Sequence, residues 1–221
     1  MREYEAIVGR ISADRPGRIL DWGCGWGQMT YLLRRAGLDV DAFDYVGPGA
    51  PNGMVELQLF AGVFAYASSD PIRLPYSDAS YDAVLSCGVL EHVEDPDASL
   101  EELKRVVRPG GTFYVYKLPN RSSYLELIAK RLGLHYHGQA VHDRLYTIES
   151  ARELFVRHGF EVLELGYANM LPLTLTGRVA SAVTPAVWAS NRGLSRVPWL
   201  NHVATNVQLV ARSPSGSSTR G

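Results

Sequence analysis

The sequence predicts an α/β protein: a Rossmann-like seven-stranded mixed sheet, mostly parallel with the last strand antiparallel, and helices on both faces. Three observations carry this expectation. Apolar strand candidates at Arg18–Trp22, Asp39–Asp44, Phe64–Ala67, Ala83–Cys87 and Thr112–Lys117 alternate with segments of helical period, the rhythm of parallel strands joined by crossover helices. The first strand runs directly into glycines at alternate positions, Gly23, Gly25 and Gly27, a turn that opens a helix. The 221 residues, 46% of them hydrophobic, suffice for one sizeable core, so residues 1–212 are expected to form a single domain.

The elements follow in order. Glycine adopts positive φ without steric cost, so the turn after Trp22 can bend sharply and let a ligand approach the backbone, while the helix behind it presents N–H groups. The second strand ends in an acid, Asp44. The clearest helix starts at Asp95-Pro96, where aspartate caps and proline has the φ of a first helical residue. Its apolar face is Leu100, Leu103, Val106 and Val107, and Pro109-Gly110 is expected to end it. A second helix spans Thr147 to His158, followed by strands at Glu161–Gly166 and Val203–Ala211, read as antiparallel neighbours. The Ser/Gly-rich tail, 213–221, is expected to be disordered.

Charge and cysteine content exclude some classes. A formal net charge of -1 gives no global attraction to nucleic acid, so no nucleic-acid partner is expected. The N-terminus, Met-Arg-Glu-Tyr-Glu, reads as no secretory signal, and the longest apolar run, Leu57–Ala67, falls well short of the roughly 20 residues of a membrane span. Cys24 and Cys87 lack Cys-x-x-Cys spacing and are read as reduced thiols, with cytoplasmic localisation.

Spacing discriminates between cofactors. The last position of a dinucleotide fingerprint, G-x-G-x-x-G, holds Gln28 here, with Gly27 one residue early, which argues against NAD. Leu20-Asp21-Trp-Gly-Cys-Gly-Trp-Gly27 instead resembles the first motif of the class I S-adenosylmethionine (SAM) dependent methyltransferases. Three further segments strengthen the resemblance: Asp39–Asp44, the loop Asp70-Pro-Ile-Arg-Leu-Pro75 with its following strand, and Val89-Leu-Glu-His-Val93 with Arg108-Pro-Gly-Gly111. Asp143-Arg-Leu-Tyr-Thr147 and Arg157-His-Gly-Phe-Glu-Val162 are similar to the type-11 and related small-molecule branch.

The resemblance implies SAM as cofactor and assigns roles. Gly23, Cys24, Gly25 and Gly27 cradle its methionine part, Asp21 reaches the amino group, Asp44 accepts both ribose hydroxyls, and Asp70 contacts the adenine amino group. Two departures qualify the pattern. Val46 to Gly53 is too rich in proline and glycine for the helix usually found there, which is expected to be short or displaced. Pro71 has no N–H to give to adenine, so Ile72 N–H or stacking must serve; Cys87, at the end of its strand, completes the expected cofactor wall.

A SAM methyl is already activated by its sulfonium, so positioning does most of the work and a base matters chiefly for a hydroxyl acceptor. His92 and His142 are the candidate bases; the alternatives are a packed histidine beneath the site for His92 and a solvated polar loop for His142. No metal is expected, because His135, His137, His142 and Asp143 match no metal-ligand spacing. Tyr136 and Tyr146 read as pocket walls and Trp22 as core.

The stretch 169–201 reads as an apolar insert carrying Arg178, Arg192 and Arg196, and no acid follows Glu164. Two readings stay open: contact with an anionic membrane face or a lipid-like or phosphorylated acceptor, and a structural hairpin or homodimer interface. The resulting expectation is a SAM-dependent methyltransferase moving a methyl, preferably to oxygen, onto a small molecule or a lipid- or sugar-linked intermediate. The alternatives are an NAD-dependent oxidoreductase and a non-catalytic SAM-binding partner subunit.

Overall fold

A computed structural model describes residues 2–48, 52–56, 62–133, 143–170 and 200–215, together with 190, 191, 193, 194 and 197. The sheet has eight strands, β1 (Arg18–Trp22), β2 (Asp39–Tyr45), β3 (Gly53–Glu56), β4 (Phe64–Ser68), β5 (Tyr81–Cys87), β6 (Val107–Pro119), β7 (Glu161–Ala168) and β8 (Asn206–Arg212). Their order across the sheet is β3-β4-β2-β1-β5-β6-β8-β7. The five strands from β4 to β6 run parallel, and β8 lies antiparallel between β6 and β7. The eighth strand is β3, an antiparallel edge paired to β4; it begins at Gly53, the last residue of the proline- and glycine-rich stretch that the sequence marked as hostile to a helix.

Alternation along the interior strands, broken by register shifts between Tyr81 and Ala83 and between Val115 and Leu118, builds a core on each face. Val84, Phe113, Val115 and Leu209 point to one side with Leu20, Trp22 and Phe43. Ala83, Leu85, Tyr114, Tyr116 and Val210 point to the other with Ile19 and Val40. On the first face lie α3 (Pro96–Val106) and α5 (Ile148–Arg157), whose Leu100, Leu103, Leu154 and Phe155 complete the packing. Phe113, Phe155 and Phe160 meet edge to face there. On the second face lie α1 (Arg2–Asp14), through Ile7 and Ile11, and α2 (Gln28–Arg35), through Met29 and Leu33. The remaining helix, α4 (Tyr124–Arg131), follows β6.

Local chemistry explains the boundaries. Asp95 accepts from Ala98 N–H at 3.0 Å and Pro96 opens α3, as the sequence indicated. The end of α3 differs: the chain leaves the helix at Val106, ahead of Pro109-Gly110, because Val107 already pairs with Tyr81 as the first residue of β6. Thr147 and Ser150 form a reciprocal capping box on α5. The His158 imidazole beyond its other end bonds to Asp97 at 2.6 Å and to Glu101 at 2.7 Å, tying α5 to α3. Ser213, where the tail was expected to begin, still donates to Gly111 O at 2.7 Å, whereas 216–221 lie outside the described residues. Among the described residues no helix is long and apolar enough to cross a membrane.

Candidate functional site

The parallel strands β4, β2, β1 and β5 are consecutive across the sheet, so the segments that follow them share one edge. This brings together the glycine turn after β1, Asp44 at the end of β2, Asp70 after β4, and the stretch from Cys87 to His92 after β5. The edge of such a sheet outside its strand ends is where ligands bind in this architecture.

The turn is built from backbone bonds. Gly23 and Cys24 N–H both donate to Phe43 O at 2.9 Å, and Gly27 N–H to Cys24 O at 2.9 Å. Gly23 has φ 73°, and a Cβ there would lie 2.5 Å from both methyls of Val89. Gly25, at φ 52°, differs, since a Cβ on it would meet nothing within 4 Å. Gly27 stands left-handed at the start of α2 with no side-chain cap. The turn is therefore closed against the protein at Gly23 and open at Gly25.

Two acids flank it. Asp44 accepts from Gly25 N–H at 2.7 Å and from Tyr45 N–H at 2.8 Å; burial raises its carboxyl, and these two bonds oppose the shift. Asp21 is 2% exposed and accepts from the Thr30 hydroxyl at 2.5 Å. Burial pushes it up to about 6 against the bonds from Thr30. A buried carboxylate with no cationic partner at bonding distance among the described residues suits a positively charged ligand group.

Other expected contacts are placed differently. Asp70 is exposed and accepts from Ile72 N–H at 2.9 Å and Arg73 N–H at 2.8 Å, bonds that lower its carboxyl below the usual range. The Ile72 N–H expected for adenine is thus engaged by Asp70 in this structure. Cys24 is buried, and burial together with Asp21 and Asp44 raises its thiol above the ordinary cysteine range, an environment that disfavours a thiolate. Cys87 is half-buried at the end of β5, its thiol pushed up to about 12 by burial; both cysteines are free. Trp22 is core and Trp26 is exposed. Tyr146 is 5% exposed and donates to Leu90 O at 3.2 Å, more an anchor for its segment than a free pocket wall. His142, Tyr136, His135 and His137 lie outside the described residues, as does most of 169–201.

His92 is the candidate base that the structure describes. Its side chain is 57% exposed, and Nδ1 lies 2.7 Å from Asp143 Oδ1, a carboxylate only 12% exposed. The segment carrying Asp143 is held over the β5 loop by Arg144 N–H to Glu91 O at 2.9 Å and by the Arg144 guanidinium on the Val93 and Glu94 carbonyls. Sequence reasoning missed two groups here. Asp143 was weighed as a metal ligand and not as the partner of His92, and Glu91 was read only as a motif letter. A signal for Glu91 was present, an acid flanked by Val89, Leu90 and Val93.

A cavity of about 980 Å³ adjoins the same edge, between α1 and the β7–β8 pair. Lys117, Asn169 and Asn206 line it where β6 and β7 end and β8 begins, with Glu3 from α1. The register between β6 and β8 shifts between Val115 and Leu118, and Lys117 takes φ 65°. Its ammonium lies 4.4 Å from the Tyr4 ring centroid and 3.4 Å from Glu3, fastening the start of α1 over the edge.

A glycine turn open to solvent at one position, with an acid buried behind it and another at the neighbouring strand end, makes this edge of a Rossmann-like fold the candidate cofactor site. The chain belongs to the family described as "Methyltransferase domain", which matches residues 1–165. It is 31% identical over 143 residues to malonyl-[acyl-carrier protein] O-methyltransferase of Pseudescherichia vulneris, covering 65% of this chain and 52% of that protein. It is also 31% identical over 186 residues to a Mycolicibacterium smegmatis protein named "Probable S-adenosylmethionine-dependent methyltransferase", covering 74% and 68%. The matched segment spans about half the length of the first of these relatives. In structure the chain resembles the [4+2]-cyclase SpnF, with TM-score 0.60 at 21% identity over 97% of this chain and 81% of the other. It also resembles 1,6-didemethyltoxoflavin-N1-methyltransferase of Burkholderia thailandensis, with TM-score 0.57 at 19% identity over 97% and 78%. Likeness at that identity speaks for the fold and leaves the reaction to the site.

Proposed function

We propose that this chain is an S-adenosylmethionine-dependent methyltransferase whose acceptor is a hydroxyl of a small molecule or of a lipid- or sugar-linked intermediate. The observation that carries the reading is the His92–Asp143 pair beside the cofactor edge. A hydroxyl keeps its proton at pH 7, so its methylation gains from a base. Asp143 on Nδ1 fixes the ring and leaves Nε2 for the acceptor's proton. In support of oxygen as the acceptor atom, the chain's relatives include malonyl-[acyl-carrier protein] O-methyltransferase and, at 24% identity over 195 residues, ubiquinone biosynthesis O-methyltransferase of Cereibacter sphaeroides.

In this reading Asp44 takes the ribose hydroxyls, Asp21 the ammonium of the methionine end and Asp70 the adenine amino group, while the turn from Gly23 to Gly27, Ile72 and Cys87 line the pocket. The cofactor supplies an activated methyl; the protein's part is to align the acceptor with it, exclude water and hold the released proton. The cavity at Lys117 and Asn169 is assigned to the acceptor, together with the segment 169–201 and its arginines. Transfer of label from methyl-labelled SAM to a panel of hydroxyl, amine and carbon acceptors tests the proposal. Label on a hydroxyl that depends on His92 supports it. Label confined to amines or carbons overturns the oxygen assignment, and binding of NAD in place of SAM overturns the whole reading.

A further inference from the structure

Glu91 is a carboxyl that the structure buries without completing its hydrogen bonds. It is 6% exposed in the loop after β5, and its Oε2 has no partner among the described residues. Leaving a buried carboxylate oxygen bare is unfavourable, so that atom calls for a proton or a ligand. The titratable and charged groups that face it come from every neighbouring element: Cys87 on β5, Lys117 on β6, the adjacent His92, and Asp143 and Tyr146 on the crossing segment. Of these, Lys117 is already engaged with Glu3 and Tyr4. His92 stands between two acids, Nδ1 at 2.7 Å from Asp143 and Nε2 at 3.8 Å from Glu91 Oε1. Burial, reinforced by the negative charge of Asp143, raises the Glu91 carboxyl well above the ordinary glutamate range, against the opposing influence of His92 and Lys117.

We propose that Glu91 is the proton store of the site: it is protonated beside an empty or electrically neutral pocket, ionises when a cationic cofactor binds at the edge of β1 and β5, and is protonated again when methyl transfer abolishes that cation. The inference rests on the reading of the chain as a SAM-dependent enzyme acting on a hydroxyl. The balance closes. As the O–CH3 bond forms and the S–CH3 bond breaks, the bonding pair stays on sulfur, which becomes a neutral thioether, and the acceptor loses one proton. His92 Nε2 takes that proton and passes it to Glu91, which is then free to hold it because the neighbouring positive charge has gone. One proton is released per turnover, and one site is vacant to receive it.

Infrared difference spectra of the full chain, recorded with S-adenosylmethionine and with its uncharged-sulfur product S-adenosylhomocysteine, test this without an acceptor. The expected result is loss of a protonated-carboxyl C=O band on adding S-adenosylmethionine, retention of that band with S-adenosylhomocysteine, and its absence from Glu91→Gln. Calorimetry in two buffers of different ionisation heat should agree, with more protons released by the wild type than by Glu91→Gln on binding S-adenosylmethionine and no such difference with S-adenosylhomocysteine. Should Glu91→Gln fail to fold, the contrast between the two cofactors in the wild type still decides. If S-adenosylmethionine binds with saturation and the band does not respond, or responds equally to both cofactors, the proton-store role is overturned while the cofactor reading stands. If neither compound binds, the cofactor reading itself fails.

Discussion

The carboxylate of Asp44, the last acid of β2, accepts the backbone N–H of Gly25 at 2.7 Å, so the end of one strand is tied to the tip of the turn that leaves the next. The cofactor edge is thus held by a bond within itself before any ligand arrives. Asp44 and Gly25 are separated by 19 positions in sequence, yet both belong to the same small cradle.

The glycines of that cradle should not be equivalent. Gly23→Ala places a methyl 2.5 Å from Val89 at a positive φ and is expected to lower stability by about 2–4 kcal/mol. Gly25→Ala meets open space, so thermal melts should show a loss of only about 1 kcal/mol while SAM affinity falls, because the methyl stands where the ligand approaches. Equal melting losses in the two variants would contradict this geometry.

Asp21 predicts a trade between stability and binding. Its carboxyl is raised in the folded protein, so the stability this group contributes is complete below the ordinary aspartate range and is lost as pH rises through about 6. Asp21→Asn removes the ionisation, keeps an acceptor for Thr30, and should stabilise the ligand-free protein above pH 6 by about 1–3 kcal/mol. Chemical denaturation at pH 5 and pH 8 measures the slope. The variant should also show a smaller SAM-induced rise in Tm; an unchanged slope together with an unchanged rise would remove Asp21 from both roles.

Catalysis should separate His92 from Asp143. His92→Gln is expected to reduce kcat by about 100- to 10,000-fold on a hydroxyl acceptor with little change in SAM affinity. Asp143→Asn should reduce kcat less and shift the acid limb of the pH profile, the limb on which a general base takes up its proton, since it acts by orienting the ring. Wild-type rates in both variants would mean that positioning alone drives transfer.

The arginines of 169–201 bear on the acceptor. Arg178→Glu with Arg192→Glu should raise the acceptor KM and weaken liposome binding without changing SAM affinity, with a stronger salt dependence in the wild type. Unchanged values on all three measures would leave the stretch a structural role only.

Much of the fold could be read ahead because the strands flanking the cofactor edge declare themselves locally. Tyr81–Cys87 is largely apolar and Asp39–Tyr45 interleaves acids with Val40, Ala42 and Phe43, both strand-like patterns next to turn residues, and the turn at Gly23 to Gly27 needs no partner to be recognised. What escaped the sequence depends on contacts across the chain. β3 at Gly53–Glu56 is an edge strand whose one strand partner among the described residues is β4. The helix Arg2–Asp14, with buried faces at Ile7 and Ile11 alone, carries too narrow an apolar stripe to stand out. The end of α3 was misplaced because pairing of Val107 with Tyr81 outweighs the local stop signal at Pro109. The candidate site shows the same division: that the glycine turn and Asp44 stand at strand ends follows from local pattern, whereas Asp143 meets His92 across 51 positions and the burial of Glu91 exists only in three dimensions.

The most direct test of the account is calorimetric titration of SAM, and separately of NAD, into the wild-type chain and Asp44→Ala. The account predicts saturable SAM binding, no NAD binding, and a loss of about ten- to a hundredfold in SAM affinity in the folded variant, the equivalent of about 1.5 to 3 kcal/mol for a charged acceptor of two hydrogen bonds. SAM affinity unchanged by Asp44→Ala, or a preference for NAD, would contradict it.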